Sequence, residues 1–122
     1  MAEAEVHQVQ GKVTQSNNEF YVSVALDELV EQKTILDYEY QKILGNPQAS
    51  GYFKIDFVVY TPHAQPLEVM EEHWHSGTFG ANDQYRLAMI KSRYRREVDI
   101  LLGYETDTLE VARENVRELY GR

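Results

Sequence analysis

Hydrophobic and polar positions change rhythm several times along the chain, and each rhythm predicts an element. HQVQGKVTQS and EFYVSVAL alternate with a period of two on either side of Asn17-Asn18. With that pair as a tight turn, Val13 faces Val22, Gly11 faces Val24 and Val9 faces Leu26, so one face of a hairpin collects the apolar residues. His7 falls on that face near the open end. ALDELVEQKTILDYEYQKILG then reads as helix, with Asp27 as N-cap, Glu28 and Glu31 in the first turns, and Gly45 as the stop. Its stripe is Leu29, Leu36, Tyr40, Ile43 and Leu44. Lys33 and the β-branched pair Thr34-Ile35 interrupt that stripe, which predicts a bend or a split. GYFKIDFVVYT is a strand: Phe53, Ile55, Phe57 and Val59 line one face, Tyr52, Lys54, Asp56 and Tyr60 the other, and Pro62 ends it.

Residues Pro66 to His75 fit either a short helix or an irregular strand. Beyond a glycine loop, Asn82 or Asp83 opens a long helix that ends at Gly103, with Leu87, Ile90, Tyr94, Val98 and Leu101 on one side. Thr106 or Asp107 caps a last helix striped by Leu109, Ala112, Val116 and Leu119. The order β-β-α-β-loop-α-α predicts an α+β class: a small antiparallel sheet, made of the N-terminal hairpin plus one further strand, with three helices packed on one face. We expect a single domain over residues 1–122, with residues 1–5 disordered. A sheet of three strands leaves edges that invite pairing with another copy or a partner.

Composition adds to this picture chiefly through charge and tyrosine. The net charge of −8 is uneven: residues 1–75 carry twelve acids and four lysines, residues 76–122 eight acids and eight bases. Every arginine lies in the second part, at Arg86, Arg93, Arg95, Arg96, Arg113, Arg117 and Arg122. Nine tyrosines exceed what a core of this size needs. Tyr38 and Tyr40 cannot both face inward from one helix, and Tyr52 and Tyr60 lie opposite their strand's apolar face. Outward tyrosines favour an interface, because they cover apolar area while keeping a polar tip. The absence of cysteine excludes disulfides and thiolate chemistry. MAEAEVHQ lacks the basic start and apolar run of a secretory signal, and no apolar stretch is long enough to span a bilayer, so the expected setting is cytoplasmic, with no membrane partner.

The densest chemistry sits in EVMEEHWHSGTFG, residues 68–80. In a strand, His73 and His75 point the same way and could share a divalent metal, with Glu71, His63, Glu68 or His7 as a further ligand. In a helix they diverge by about 200°, and Glu71 or Glu72 pairs with His75 instead. His73-Trp74-His75 resembles the His-x-His metal pair of the small β-barrel cupins over those three residues only. Ser76 to Gly80 offers no following glutamate, and the helical second half is not a barrel's, so the family is not adopted. GTFGAND runs a Gly77-x-x-Gly80 loop into a helix start, a place where free amides can hold an anion. KSRYRREVD sets Arg93, Arg95 and Arg96 around Tyr94; with Arg86 these supply a ligand- or anion-binding set. A pI near 4.9 argues against nucleic acid as the partner.

Neither a nucleophile elbow nor a hydrogen-bonded triad can be read from the sequence, so the chain is not read as an enzyme and no catalytic residue is assigned. The expected function is that of a small interaction or regulatory protein. It would act by binding another protein or a small anionic ligand, as a homo-oligomer. The alternative is a metal-binding protein, or a metal-dependent enzyme, built on the His73/His75 region. No cofactor other than that divalent metal is indicated.

Overall fold

The computed structural model describes residues 7–45, 53–70 and 81–121. A two-stranded ribbon, β1 (Gln8–Val9) and β2 (Lys12–Val13), leads into helix α1 (Asn17–Glu31). Strands β3 (Asp37–Leu44), β4 (Phe53–Tyr60) and β5 (Ala64–Met70) come next. Helix α2 (Ala81–Tyr94), strand β6 (Asp99–Leu102), a 3-10 turn (Gly103–Glu105) and helix α3 (Leu109–Tyr120) complete the order. The class is α+β, with three helices as expected, but the sheet is larger and mixed. Its order is β3-β4-β5-β6, antiparallel except for the parallel pair β5/β6. The ribbon of β1 and β2 is a separate sheet.

Four expected boundaries move, each for a local reason. Residues 17–26 are helix, not the second arm of a hairpin. Ser16 is the N-cap, its hydroxyl accepting from the Glu19 N–H at 3.2 Å, and Ser-x-x-Glu at 16–19 is the sequence form of a helix start. The buried residues Val22, Ala25, Leu26 and Leu29 then keep helical spacing. The true tight turn is Gln10-Gly11, where φ is 52° and 79°, as a two-residue turn matched to strand twist demands.

The predicted helix over 27–44 splits where Lys33 and Thr34 interrupt it. Asp27 is inside α1 rather than its cap, and β3 begins at Asp37. A period-two pattern thus replaces the helical one, and Tyr38 and Tyr40 both face the core, at 4% and 0% exposure. The long helix expected to end at Gly103 stops at Tyr94, where Arg95 adopts a left-handed φ of 56°. Val98 and Leu101 therefore belong to the β6 region. The last helix starts after Thr108, whose hydroxyl accepts from the Val111 N–H at 3.1 Å.

The helices cover both faces of the sheet, not one. On one face α1 and α3 bring Val22, Leu26, Leu29 and Val116 onto Tyr38, Tyr40, Phe57, Val59, Leu67 and Leu101. On the other, Ile90 and Tyr94 of α2 pack with Val58, Tyr60, Ala64 and Val98. Residues alternate across a strand, so Phe57 and Val59 lie opposite Val58 and Tyr60. Helix α2 is the crossover that parallel neighbours β5 and β6 require. The chain leaves β5 towards α2 on one face and leaves β6 towards α3 on the other. The carboxyl ends of β5 and β6 therefore form a topological switch point, the place where open sheets with helices on both faces hold their ligands.

Candidate functional site

Two acidic residues stand close to that switch point. Strand β5 reads Pro66-Leu67-Glu68-Val69-Met70, buried throughout; one carboxylate sits inside an otherwise apolar run. The β4/β5 register pairs Phe57 with Leu67 and Val58 with Pro66, and one further step sets Asp56 beside Glu68. The Glu68 side chain meets Arg86 of α2, whereas alternation is broken around Asp56, because Ile55 packs with Val58 and Ile90 while Phe57 packs under α1 and α3. The Val69 N–H donates to Asp56 Oδ2 at 2.9 Å, which holds that carboxylate against β5. Burial leaves Glu68 only 2% exposed.

The charge balance of the pair comes from this placement. Burial, and next the hydrogen bond and negative charge of Asp56, push the Glu68 carboxyl up to about 9, against the opposing pull of Arg86. Burial and the neighbouring Asp56 thus favour the protonated form of Glu68. Arg86, reaching down from α2, donates through Nε and Nη2 to Glu68 Oε1 at 3.1 and 2.9 Å. Its Nη2 also donates to the Lys54 carbonyl. The site is therefore two neighbouring carboxyl groups, one held by the Val69 N–H and the other under a guanidinium. Arg86 is partly exposed and Asp56 only half-buried, so solvent reaches the arrangement.

The residues expected from sequence to carry function are dispersed. Arg86 belongs to the acid pair. Arg93 and Tyr94 line a cleft of about 660 Å³ between the C-terminal end of α2, strand β3 and the β4–β5 turn. His63 lies in that turn and lines the same cleft, at the opposite end of β5 from Glu68. Five residues of extended strand span about 16 Å, so His63 and Glu68 cannot share an ion. Glu71, His73, His75, Gly77 and Gly80 lie outside the described residues, as do Glu72 and Trp74. His7 stacks on Phe20 with ring centroids 3.9 Å apart, beside the ribbon rather than at the acid pair. Among the described residues no cluster of three or more His, Asp or Glu gathers to hold a metal.

Sequence reading passed over Asp56 as a site residue and weighed Glu68 only as a further ligand for His73 and His75. Asp56 reads as one polar residue on an outward strand face, and Glu68 as one acid in a segment of undecided backbone. The available signal was a lone carboxylate in each of two adjacent apolar strands, since acids are almost never fully buried without a partner. Their apposition depends on the β4/β5 register, which no single segment contains. No protein-family model, curated protein or solved structure matches this chain.

Proposed function

We propose that the chain is a divalent-cation-dependent hydrolase of phosphate esters, with Asp56 and Glu68 as the ion's protein ligands and Arg86 as the neighbouring cation. The observation that carries this reading is the placing of two carboxyl groups on adjacent strands near the switch point, with the Val69 N–H on one and Arg86 on the other. A proton held between two carboxylates is what a divalent cation displaces, and the exchange releases it. Two carboxylates are too few for a closed zinc or calcium cage. They suit magnesium, which keeps several waters and is bound by one or two carboxylates together with substrate phosphate. An ion there would polarise a phosphoryl oxygen and lower the pKa of a bound water. Arg86, sharing Glu68 with the ion, would face the charge that develops on the phosphoryl group.

The reading is tested with manganese and magnesium titrated into the protein, monitored by metal-sensitive spectroscopy and by hydrolysis of bis(p-nitrophenyl) phosphate. Wild type should bind manganese and release nitrophenol. Glu68→Gln and Asp56→Asn should lose both while keeping a cooperative melting transition. A wild-type protein that takes up neither ion at millimolar concentration would sink the proposal.

A second reading, of an interaction protein, draws on exposed apolar side chains. Leu36 and Ile43 stand out near or on edge strand β3, and Tyr85 and Met89 on the outer side of α2. Such patches support self-association or binding of another protein. Sedimentation at micromolar concentration tests it: a multimer that Ile43→Lys dissociates supports the reading, and a monomer at all concentrations removes it.

A further inference from the structure

We infer that the cleft at the C-terminal end of α2 is a binding site for a phosphate group, separate from the acid pair. Seven residues of helix, about 10 Å, separate Arg86 from Arg93. Lys42, His63, Arg93 and Arg96 meet in its walls, with Tyr94 and Leu44 beside them, in about 660 Å³ of space. Among the described residues no carboxylate lines it. A nearby acid, Glu39, is turned to Lys42 at 3.2 Å and accepts from the Tyr60 hydroxyl at 2.5 Å. Lys91, also on α2, is spent on Glu97 at 2.5 Å. Arg93 and Arg96 pair with no carboxylate among the described residues. A chain of net charge −8 therefore gathers cations in one cleft and sets none of its described acids against two of them.

The helix dipole favours cations at a C-terminus and accounts for Lys91 and Arg93 in the last turn of α2. It does not account for Arg95 and Arg96, beyond the helix. Arg95 closes the helix at φ 56°, a conformation that glycine or asparagine adopts with less strain, its N–H donating to the Lys91 carbonyl at 2.7 Å. That turn brings Arg96 onto the same cleft as Arg93. Left-handed backbone at a residue with a large side chain persists where the surroundings require it, and such positions collect at ligand sites. Guanidinium forks match phosphate oxygens two at a time, whereas a lysine acts as a point charge. Two forks with Lys42 and an imidazole suit the double charge of phosphate better than one carboxylate. Tyr94 and Leu44 give the group that carries the phosphate a flat, apolar surface.

The inference concerns binding alone and does not need the acid pair, so it is tested without metal. Inorganic phosphate and pyrophosphate are titrated at low salt into wild type and into Arg93→Gln/Arg96→Gln, by calorimetry and by amide chemical shifts. Wild type should bind pyrophosphate more tightly than phosphate, with shifts centred on residues 42–45, 63–64 and 93–96. Affinity should fall about tenfold for each arginine removed. Both arginines are exposed, and an unchanged melting temperature confirms that the variant folds. Arg117→Gln, on α3, should bind as wild type does. Absence of binding, undiminished binding by the double variant, or an equal loss in Arg117→Gln would each overturn the assignment. A short single-stranded oligonucleotide distinguishes the source of the phosphate. Tighter binding than pyrophosphate, lost in the double variant, points to a polymer; weaker binding points to a free small molecule.

Discussion

The two faces of the sheet treat polar groups differently. Under α1 and α3, polar atoms are paired so that apolar packing can close around them. The Tyr40 hydroxyl donates to Glu19 at 2.6 Å, that of Tyr38 to Asp27 at 2.7 Å, and that of Tyr120 to Asp99 at 2.8 Å. Each tyrosine buries its ring and ends on a carboxylate, and burial raises its ionisation well above the ordinary phenol range. Under α2 the sheet holds two carboxyls where one charge would be easier, and the rim is a cation-lined cleft. A buried carboxyl beside a second acid is costly to keep, and such perturbed groups in a cleft are candidates for function. One face holds the fold; the other holds the chemistry that needs explaining.

Breaking the first face should cost the most. Phe57 is fully buried and touches Tyr40, with ring centroids 5.1 Å apart. Phe57→Ala should therefore lose about 4 kcal/mol of unfolding free energy, read from urea unfolding with near-ultraviolet circular dichroism. A loss below about 1 kcal/mol would show that this face is not the core.

The second face should reveal itself through pH. Glu68 holds its proton up to about 9 when folded, against 4.5 for an ordinary carboxyl. Between those values the unfolded chain binds fewer protons than the folded one. Stability then falls as pH rises from about 4.5 to 9 and levels off above, where both states are ionised. Glu68→Gln should flatten this slope, as seen in melting temperatures across that range. An unchanged slope would mean that Glu68 is ionised at neutral pH, and the proton-sharing account would fail. Divalent cation should displace that proton, measurably in weakly buffered solution, but unlike high pH should raise the melting temperature, because it binds the folded state.

Two smaller effects sharpen the contrast. Tyr120→Phe removes the hydroxyl that donates to the half-buried Asp99 and should cost about 1 kcal/mol, with manganese binding unchanged. Arg113 donates to Glu28 at 2.9 Å across α1 and α3, but both side chains are about a third exposed. Arg113→Ala should cost only about 0.5 kcal/mol, and less in high salt. If it cost as much as Phe57→Ala, that ion pair would be part of the core and the two-face contrast would need redrawing.

Legibility from sequence tracked how far each signal reached along the chain. Strand β4 is visible because KIDFVVY is rich in β-branched and aromatic residues, although its expected face breaks at Asp56: Ile55 packs with Val58, not with Phe57 and Val59. Helix α3 is visible because Ala112 and Val116 repeat at helical spacing after a threonine cap. Leu119, expected in that stripe, is exposed, and Tyr120 takes the buried place. EFYVSVAL satisfies both periods at once, and only the cap at Ser16 and the packing of α1 on α3 choose helix. Tyr38 and Tyr40 look like an outward surface on a helix and become core on a strand.

By itself the sequence determined the α+β class, the helical character of α2 and α3, strand β4, and a second half rich in arginine, because each is written in local periodicity or composition. Tertiary structure alone decided which faces the helices cover, which strands are neighbours, and that Asp56 meets Glu68. Those facts come from pairing residues far apart in sequence, and their energy is realised only when the strands and α2 come together. Arg93 and Arg96 likewise share a cleft with Lys42 and His63 because β3, the β4–β5 turn and the end of α2 converge there.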